Sequence, residues 1–523
     1  MGKPKTKPQL SLQSSHIWDD LGGIPDNHWC YAFYTHIRWA FSDEMFADMY
    51  EEGGRRPISP ALLACITILQ GIFAVGSRRA VENTIMRRDW RIALGIPADW
   101  EGFDHTVLWR FQQRLDQHEA CYRIFAKVIA QARKLGFLTG IRAVRVDATH
   151  LLAAASALSR AESIQEALRV VVCEAAKVAP GLLEEGRFKT LHEAYHAESW
   201  IGCDRGGQRT LRELGRDGYA LAGLCQGLGL THLATLEQML AENYIVEAGA
   251  EPEPREDKEL SSDRIQTPHE PDARCGKKGK KVWLGDKVHL VESCDEDETK
   301  PNLIVGVVTA DSSLSTDPLA EDSTVLPQIL EQALELMPEG GVVLADGGYA
   351  SASNSAQAEE RGLDLVAPPR QDTSGKEVPA ADFEIDFEQE VATCPQGHRS
   401  ATWHRHKKRK AVNIRFDGKT CRACPLWGTC TSSKQGRTIC VSSGQTTVCH
   451  YPTLVRERER AKTAEFKTTY KRRAGVEGTI SRLVQCRGMR RSRGKGAPRR
   501  ARHALIAATA HNVWQMLTCL TGG

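Results

Sequence analysis

Three acidic residues, Asp147, Asp346 and Glu477, stand in sequence surroundings that suit phosphoryl transfer. Cleaving a phosphodiester with two metal ions needs several carboxylates converging on ions about 3.5–4 Å apart, which clamp the attacking and leaving oxygens. Mg2+ prefers such oxygen ligands. Asp147 closes a segment in which Val144 and Val146 alternate with Arg145, the pattern of a strand with one buried face. Asp346 ends the apolar run Val342, Val343, Leu344, Ala345 and is followed by Gly347, Gly348 and Tyr349, a turn that bares the carboxylate. Either aspartate alone is more often a turn former or helix cap; the surrounding order of elements makes that the minority reading. Tyr470, Arg473 and Glu477, at i, i+3 and i+7, fall on one helix stripe and set an acid beside two phosphate binders. On spacing alone, a surface helix with an Arg473–Glu477 ion pair is the favoured reading.

A second group is made of thiols. Cys394 begins Cys-Pro-Gln-Gly-His398, and Cys421, Cys424 and Cys430 follow within ten residues of one another. Four such sulfurs suit a tetrahedral structural Zn2+, with Cys440 and His398 as spare ligands. In a reducing compartment the alternative is a redox pair or unliganded thiols. Most of the cysteines, such as Cys65, Cys121, Cys173 and Cys225, are scattered singly through helical stretches, as buried thiols in a reduced compartment would be.

The elements that must position these residues can be read in order. Ser59 caps a helix with Pro60 at its first position, and the apolar run from Ala61 to Gly76 is too short for a membrane span and reads as buried helix. Ser77 to Arg88 gives a basic helix, and Asp104 opens a third on which Arg110, Gln113 and Arg114 could reach phosphates or base edges, a helix-turn-helix-like arrangement; an ordinary bundle is the alternative. After the Asp147 strand, residues from about Leu151 to Tyr244 are helical, and Glu251 to Lys280 reads as an exposed connection. Val282–Glu292 and Leu303–Thr309 form a hairpin pair, Thr324–Met337 a helix, Gly341–Asp346 and Asp364–Ala367 strands, and a long basic helix runs from about Thr463 to Cys486. Three strands, helix, strand, helix, strand is the order of an RNase H-like core, in which the strands bearing the two aspartates are neighbours.

With 523 residues the chain is too long for one core, and 41% hydrophobic with 26% charged residues is an ordinary globular composition. The basic start, Met1 to Pro8, lacks a following apolar signal core, so a cytoplasmic protein with no membrane partner is expected. A net charge of +3 hides an asymmetry: Lys and Arg dominate from Arg456 to Arg502, which points to a polyanion.

At these residues the chain resembles the DDE transposases of bacterial insertion sequences, whose signature is Tyr, two residues, Arg, three residues, Glu, six residues, Lys. The segments Val146–Thr149, Pro271–Arg274, Gly276–Lys278, Lys287–Leu290, Ala345–Tyr349 and Arg473–Thr479 resemble the eleven-eighty-two group in the right order. One position departs: Val484 stands where related enzymes often carry Lys, leaving Arg482, Arg487 or Arg490 for that phosphate contact. The resemblance implies DNA cleavage and strand transfer by Asp147, Asp346 and Glu477 with Mg2+ or Mn2+. It implies binding of double-stranded DNA (terminal inverted repeats and target) through Tyr470, Arg473, Arg482, Arg487, Arg490, Arg491, Arg110 and Arg114, with Arg493, Lys495, Arg499 and Arg500 neutralising phosphates, and a homodimer on DNA near the nucleoid.

The expected architecture is mixed α/β: an N-terminal segment (1–55), an all-α DNA-binding domain (56–140), an RNase H-like catalytic core (141–370) with a helical insertion (about 151–280), a Cys-rich zinc-ribbon-like insertion (371–462) and the C-terminal part of the core with its basic helix (463–523). A catalytically silent DNA-binding descendant and a stand-alone nuclease are the competing functions; the presence of all three acids argues against the first.

Overall fold

The computed structural model describes residues 24–523 except 52–56, 98, 157, 185, 198–208, 279–280, 295, 298, 312–317, 338–339, 370–376, 407–410, 443–450 and 523. The basic start at residues 1–8 therefore lies outside the described residues.

Among the described residues, six α-helices come first: α1 (Trp29–His36), α2 (Pro60–Ile72), α3 (Ser77–Met86), α4 (Arg88–Leu94), α5 (His105–Gln117) and α6 (Cys121–Lys134). The expected caps are present. The Ser59 side chain accepts from the Leu62 N–H with Pro60 in the first turn, and Asp104 accepts from the Thr106 N–H. α2 is apolar on every face and buried nearly throughout, as the central helix of a bundle must be. Among the described residues no single helix is long and apolar enough to cross a membrane. The last helix, α17 (Ala497–Thr521), crosses α2 where Gly71 stands; a Cβ there would lie 2.8 Å from that of Ala510, so only glycine permits the approach.

A six-stranded sheet follows, built from β1 (Ala143–Leu152), β4 (Arg274–Lys278), β5 (Lys281–Ser293), β6 (Ile304–Asp311), β7 (Val342–Leu344) and β8 (Asp364–Val366). Its order is β4-β5-β1-β7-β8, with β6 also paired to β5. β1 runs antiparallel to β5 and parallel to β7. The succession of strands and helices expected from the sequence is present, with α11 (Pro318–Leu336) and α12 (Ala352–Glu360) between the last strands. Apolar side chains of the sheet, the N-terminal helices and α17 form one continuous buried cluster.

Between β1 and β4 lie α7 (Arg160–Val178), α8 (Gly186–Tyr195), α9 (Leu211–Leu224) and α10 (Leu233–Asn243), then the short ribbon β2 (Tyr244–Ile245) and β3 (Glu253–Pro254). These helices bury their own cluster around Leu168, Leu221 and Leu240, and capping boxes at Ser159/Glu162 and Thr210/Glu213 start two of them. The following segment is an exposed connection, as its polar composition suggests, only to about residue 264; beyond that it is largely buried. Gln266, Thr267 and Glu270 are buried, because Glu270 accepts from the Ala155 and Gly496 N–H groups and pairs with Arg500 at 2.9 Å.

A third cluster gathers β9 (Glu384–Asp386), β10 (Val391–Thr393), β11 (Thr402–His406), β12 (Ala411–Arg415), α13 (Gly418–Ala423) and β13 (Thr438–Ser442) around Val412, Ile414 and Ile439. The chain ends with α14 (Tyr451–Arg460), α15 (Ala464–Lys471), α16 (Gly475–Cys486) and α17 (Ala497–Thr521).

Candidate active site

Arg145 on β1 sits opposite Leu344 on β7. Counting two residues on along both parallel chains brings Asp147 beside Asp346 on one face, since side chains alternate with period two and neighbouring strands lie about 4.8 Å apart. β1 does not end at Asp147, as its sequence suggested, but continues to Leu152 against β5. Only its other edge is released, because β7 stops at Leu344. Nor does β1 have a single buried face: Arg145 is buried along with Val144 and Val146. The turn after Asp346 is pinned from below. Gly348 N–H donates to Asp346 Oδ1 (2.8 Å), and buried Tyr349 meets Nδ1 of buried His289 at 2.6 Å. Burial holds His289 down to about 3, so its ring is neutral.

The third acid depends on a helix break. The sequence suggested one continuous helix to Cys486; instead α15 ends at Lys471, Arg472–Ala474 form a 3-10 turn, and α16 starts at Gly475. Beneath the turn lies Arg145, whose Nη1 donates to the Arg472 carbonyl (3.3 Å) and stands 1.8 Å from where a Gly475 Cβ would be. Arg145 Nε donates to buried Glu292 Oε2 at 2.6 Å, and buried Thr479 on α16 donates to Glu292 Oε1 at 2.6 Å. A buried ion pair between two strands thus seats the helix. Thr479 and Glu477 are two residues apart, about 200° around the helix, so anchoring Thr479 inward turns Glu477 outward.

The three acids meet at one cation. An Nη2 of Arg473 lies 2.8 Å from Asp147 Oδ2 and 3.9 Å from Asp346 Oδ2, while its Nη1 lies 3.5 Å from Glu477 Oε1. Exposure rises from Asp147 (16%) through Asp346 (37%) to Glu477 (66%), so the cluster opens from the sheet toward solvent. Burial pushes the Asp147 carboxyl up; the charges of Asp346 and Glu477 add to this, and Arg473 and the Ala148 N–H oppose it. Burial works against the Arg473 charge, but Asp147 and its acidic neighbours outweigh that and raise its pKa. Tyr470 stacks on Phe466 beside this group, and burial raises its hydroxyl. Among the described residues no three His, Cys, Asp or Glu side chains stand in an arrangement ready to hold a metal ion. Here the guanidinium lies between the carboxylates, yet the donor set of hard oxygens already gathered on a cation has the chemistry that Mg2+ or Mn2+ takes.

The expected DNA contacts divide. Arg482, Arg490 and Arg110 are exposed, and Arg491 is exposed while donating to the Ala153 carbonyl. Arg114 packs over the Tyr50 ring at 4.7 Å. Arg487 is engaged inside the protein, donating to the Ile72 carbonyl and lying over Trp514. Arg500, grouped with the phosphate neutralisers by sequence, is instead 1% exposed, and its charge is balanced inside the protein by Glu270 and Asp286. Glu457 on α14, upstream of Glu477, is buried between Arg456 and Arg460, which pair with it.

Cys394, Cys421, Cys424 and Cys430 line one small cavity with His398. The Arg437 N–H points at Cys421 Sγ (3.5 Å) and the Leu426 N–H at Cys424 Sγ (3.4 Å), and burial with the neighbouring thiols raises Cys430. The sulfurs are neighbours, but they too lack the arrangement of a ready metal site.

Sequence reading missed Arg145, Glu292 and Thr479. The available signal was a charge on each of two strands, Arg145 between Val144 and Val146 and Glu292 after Val291, which pair in register.

Residues 393–517 match the family described as Transposase DDE domain, and residues 21–114 match Transposase domain (DUF772). The two matches leave out residues 115–392, which hold Asp147 and Asp346. No curated protein matches the sequence. The chain is similar to one in the cryo-EM structure of a piggyBac transposase synaptic complex with hairpin DNA, at 10% identity and a TM-score of 0.31, over 95% of this chain and 75% of that one. At that TM-score the likeness supports no residue assignment.

Proposed function

Because the chain belongs to the DDE transposases of insertion-sequence type, we propose that Asp147, Asp346 and Glu477 form its catalytic centre and that it cuts at the terminal inverted repeats of its element and joins the freed 3′ end to target DNA. The observation that carries this is the single guanidinium of Arg473 in contact with all three acids, which come from β1, the end of β7 and α16.

DDE transposases act on DNA and use divalent metals. Such ions, held by these carboxylates, would supply positive charge at the attacking and leaving oxygens. Asp147 and Asp346 would supply oxygens from the rigid sheet, and Glu477 the third from α16. Arg473 neutralises the acids in the meantime and, turned outward, would meet the scissile phosphate beside Tyr470. The exposed Arg482, Arg490 and Arg491 extend the positive surface along the same end of β1, and Arg110 and Arg114 on α5 reach further DNA.

In this reading the acids belong to an RNase H-like core, with residues 151–280 and 371–462 inserted into it and residues 56–140 as the DNA-binding part; the sheet order β4-β5-β1-β7-β8, with β1 beside β7, supports it. A homodimer bridging two DNA ends, a cytoplasmic location and a structural Zn2+ on Cys394, Cys421, Cys424 and Cys430 complete the proposal.

The test is a labelled terminal-repeat duplex incubated with full-length protein and Mg2+ or Mn2+, with a target plasmid. Cleavage and joined product are expected. Cleavage without joining would make the protein a nuclease, and binding alone would make the centre silent; either overturns the proposal.

A further inference from the structure

Away from the acids, a cavity of about 290 Å3 opens between the end of α2, the start of α3, α5 and the segment leading into α17. Four arginines, Arg487, Arg493, Arg499 and Arg502, line it, and among the described lining residues none is acidic. We propose that this cavity is a phosphate-binding pocket, and that in the working protein its occupant is a backbone phosphate of bound DNA.

The charges are not balanced from within. Arg487 donates to the Ile72 carbonyl and Arg493 to the Ala74 and Val75 carbonyls, all neutral partners at the end of α2. Asp116 is the carboxylate in reach of the other two, 2.5 Å from Arg502 and 3.9 Å from Arg499. Among the described residues, one acid therefore faces four guanidinium groups. His503, which also lines the cavity, is held down to about 4 by burial and adds no charge near neutrality. Burial also pushes the Arg487 and Arg502 pKa values down, the mark of cations kept from water without full compensation. Buried Arg487 Nε has no hydrogen-bond partner among the described residues.

The remaining wall suits an anion. Gly76 and Ser77 begin α3, whose first turn no side chain caps, so its free N–H groups and positive dipole end lie at the cavity. Ser77, Gln70 and Gln112 are tied to one another, Ser77 Oγ donating to Gln112 Oε1 (3.3 Å) and Gln112 Nε2 to Gln70 Oε1 (2.6 Å). The space equals on the order of ten water volumes, enough for a phosphate with its sugar, and Trp109, half exposed, forms part of the rim. Were the arginines only a clasp between α2 and the C-terminal segment, the carbonyl bonds of Arg487 and Arg493 would serve it; Arg499, with one long ion pair, would have no task.

Two titrations of the full-length protein decide this. In the first, inorganic phosphate is added at constant ionic strength while the melting temperature is followed. A saturable rise is expected for wild type, and its loss in Arg499→Gln. In the second, DNA affinity is measured against salt concentration. If a DNA phosphate occupies the pocket, Arg499→Gln lowers the slope of log K against log salt by about 1. A phosphate response with an unchanged slope supports the pocket and identifies free phosphate as its source. No saturable response in wild type together with an unchanged slope overturns the proposal. The wild-type titration stands even if the variant folds poorly. The DNA arm rests on the transposase reading; neither arm needs cleavage, so failure here leaves the catalytic centre untouched.

Discussion

The acidic centre and the cysteine cluster are both groups of potential metal ligands, yet they are held in opposite ways. The acids come from three elements spread over more than 300 residues, and a buried Arg145–Glu292–Thr479 network beneath them fixes the helix that carries the last one. Three of the four cysteines lie within ten residues, on and after one short helix, and rest on a small apolar cluster of their own. A site assembled from afar needs rigid support under it; a local one can rely on turns and, where present, on the ion itself.

The largest effect expected from that contrast follows the removal of Glu292. Glu292→Leu leaves Arg145 buried without its partner and should cost about 3–5 kcal/mol in urea unfolding. The double variant Arg145→Met with Glu292→Leu should recover much of that stability while cleavage stays lost, since α16 has lost its seat. A single-variant cost below about 1 kcal/mol would show that the network is not the support.

Gly475→Ala comes next. Its Cβ would meet Arg145 Nη1, which Glu292 already clamps, so a destabilisation of about 1–3 kcal/mol is expected, with at least a tenfold loss of cleavage and unchanged DNA affinity. Wild-type cleavage in this variant would mean that the 3-10 turn moves freely.

At the cysteines the expected effect is local. Protein purified without chelator should contain about one zinc per chain by elemental analysis, and Cys421→Ser with Cys424→Ser should lose it while sheet stability is kept. Absence of zinc in wild type would leave the cluster held by Val412, Ile414 and Ile439 alone and would make the two regions differ in kind.

What could be read from the sequence was local. Ser59 with Pro60, Asp104, and the apolar alternation of the strands each depend on neighbours within a few residues. The aspartates and the Tyr470–Arg473–Glu477 spacing were visible for the same reason. The break at Arg472–Ala474 was not, because its cause is Arg145, 327 residues from the Arg472 carbonyl it meets. The burial of Glu270 and Arg500 was hidden likewise: they are 230 residues apart, and each alone looks like surface charge. The continuation of β1 past Asp147 follows from pairing with β5, which no periodicity in β1 itself encodes.

The central claim is that Glu477, not another acid of the basic C-terminal stretch, completes the centre with Asp147 and Asp346. Glu465 is the strictest control: it is exposed in the first turn of α15, twelve residues before Glu477. The deciding measurement is single-turnover cleavage of a terminal-repeat duplex, with DNA affinity measured in parallel, by wild type, Asp147→Ala, Asp346→Ala, Glu477→Gln and Glu465→Gln across a Mg2+ series. The account predicts that the first three variants bind DNA but do not cut at any Mg2+ concentration, while Glu465→Gln cuts like wild type. Cleavage by Glu477→Gln together with its loss in Glu465→Gln would contradict it.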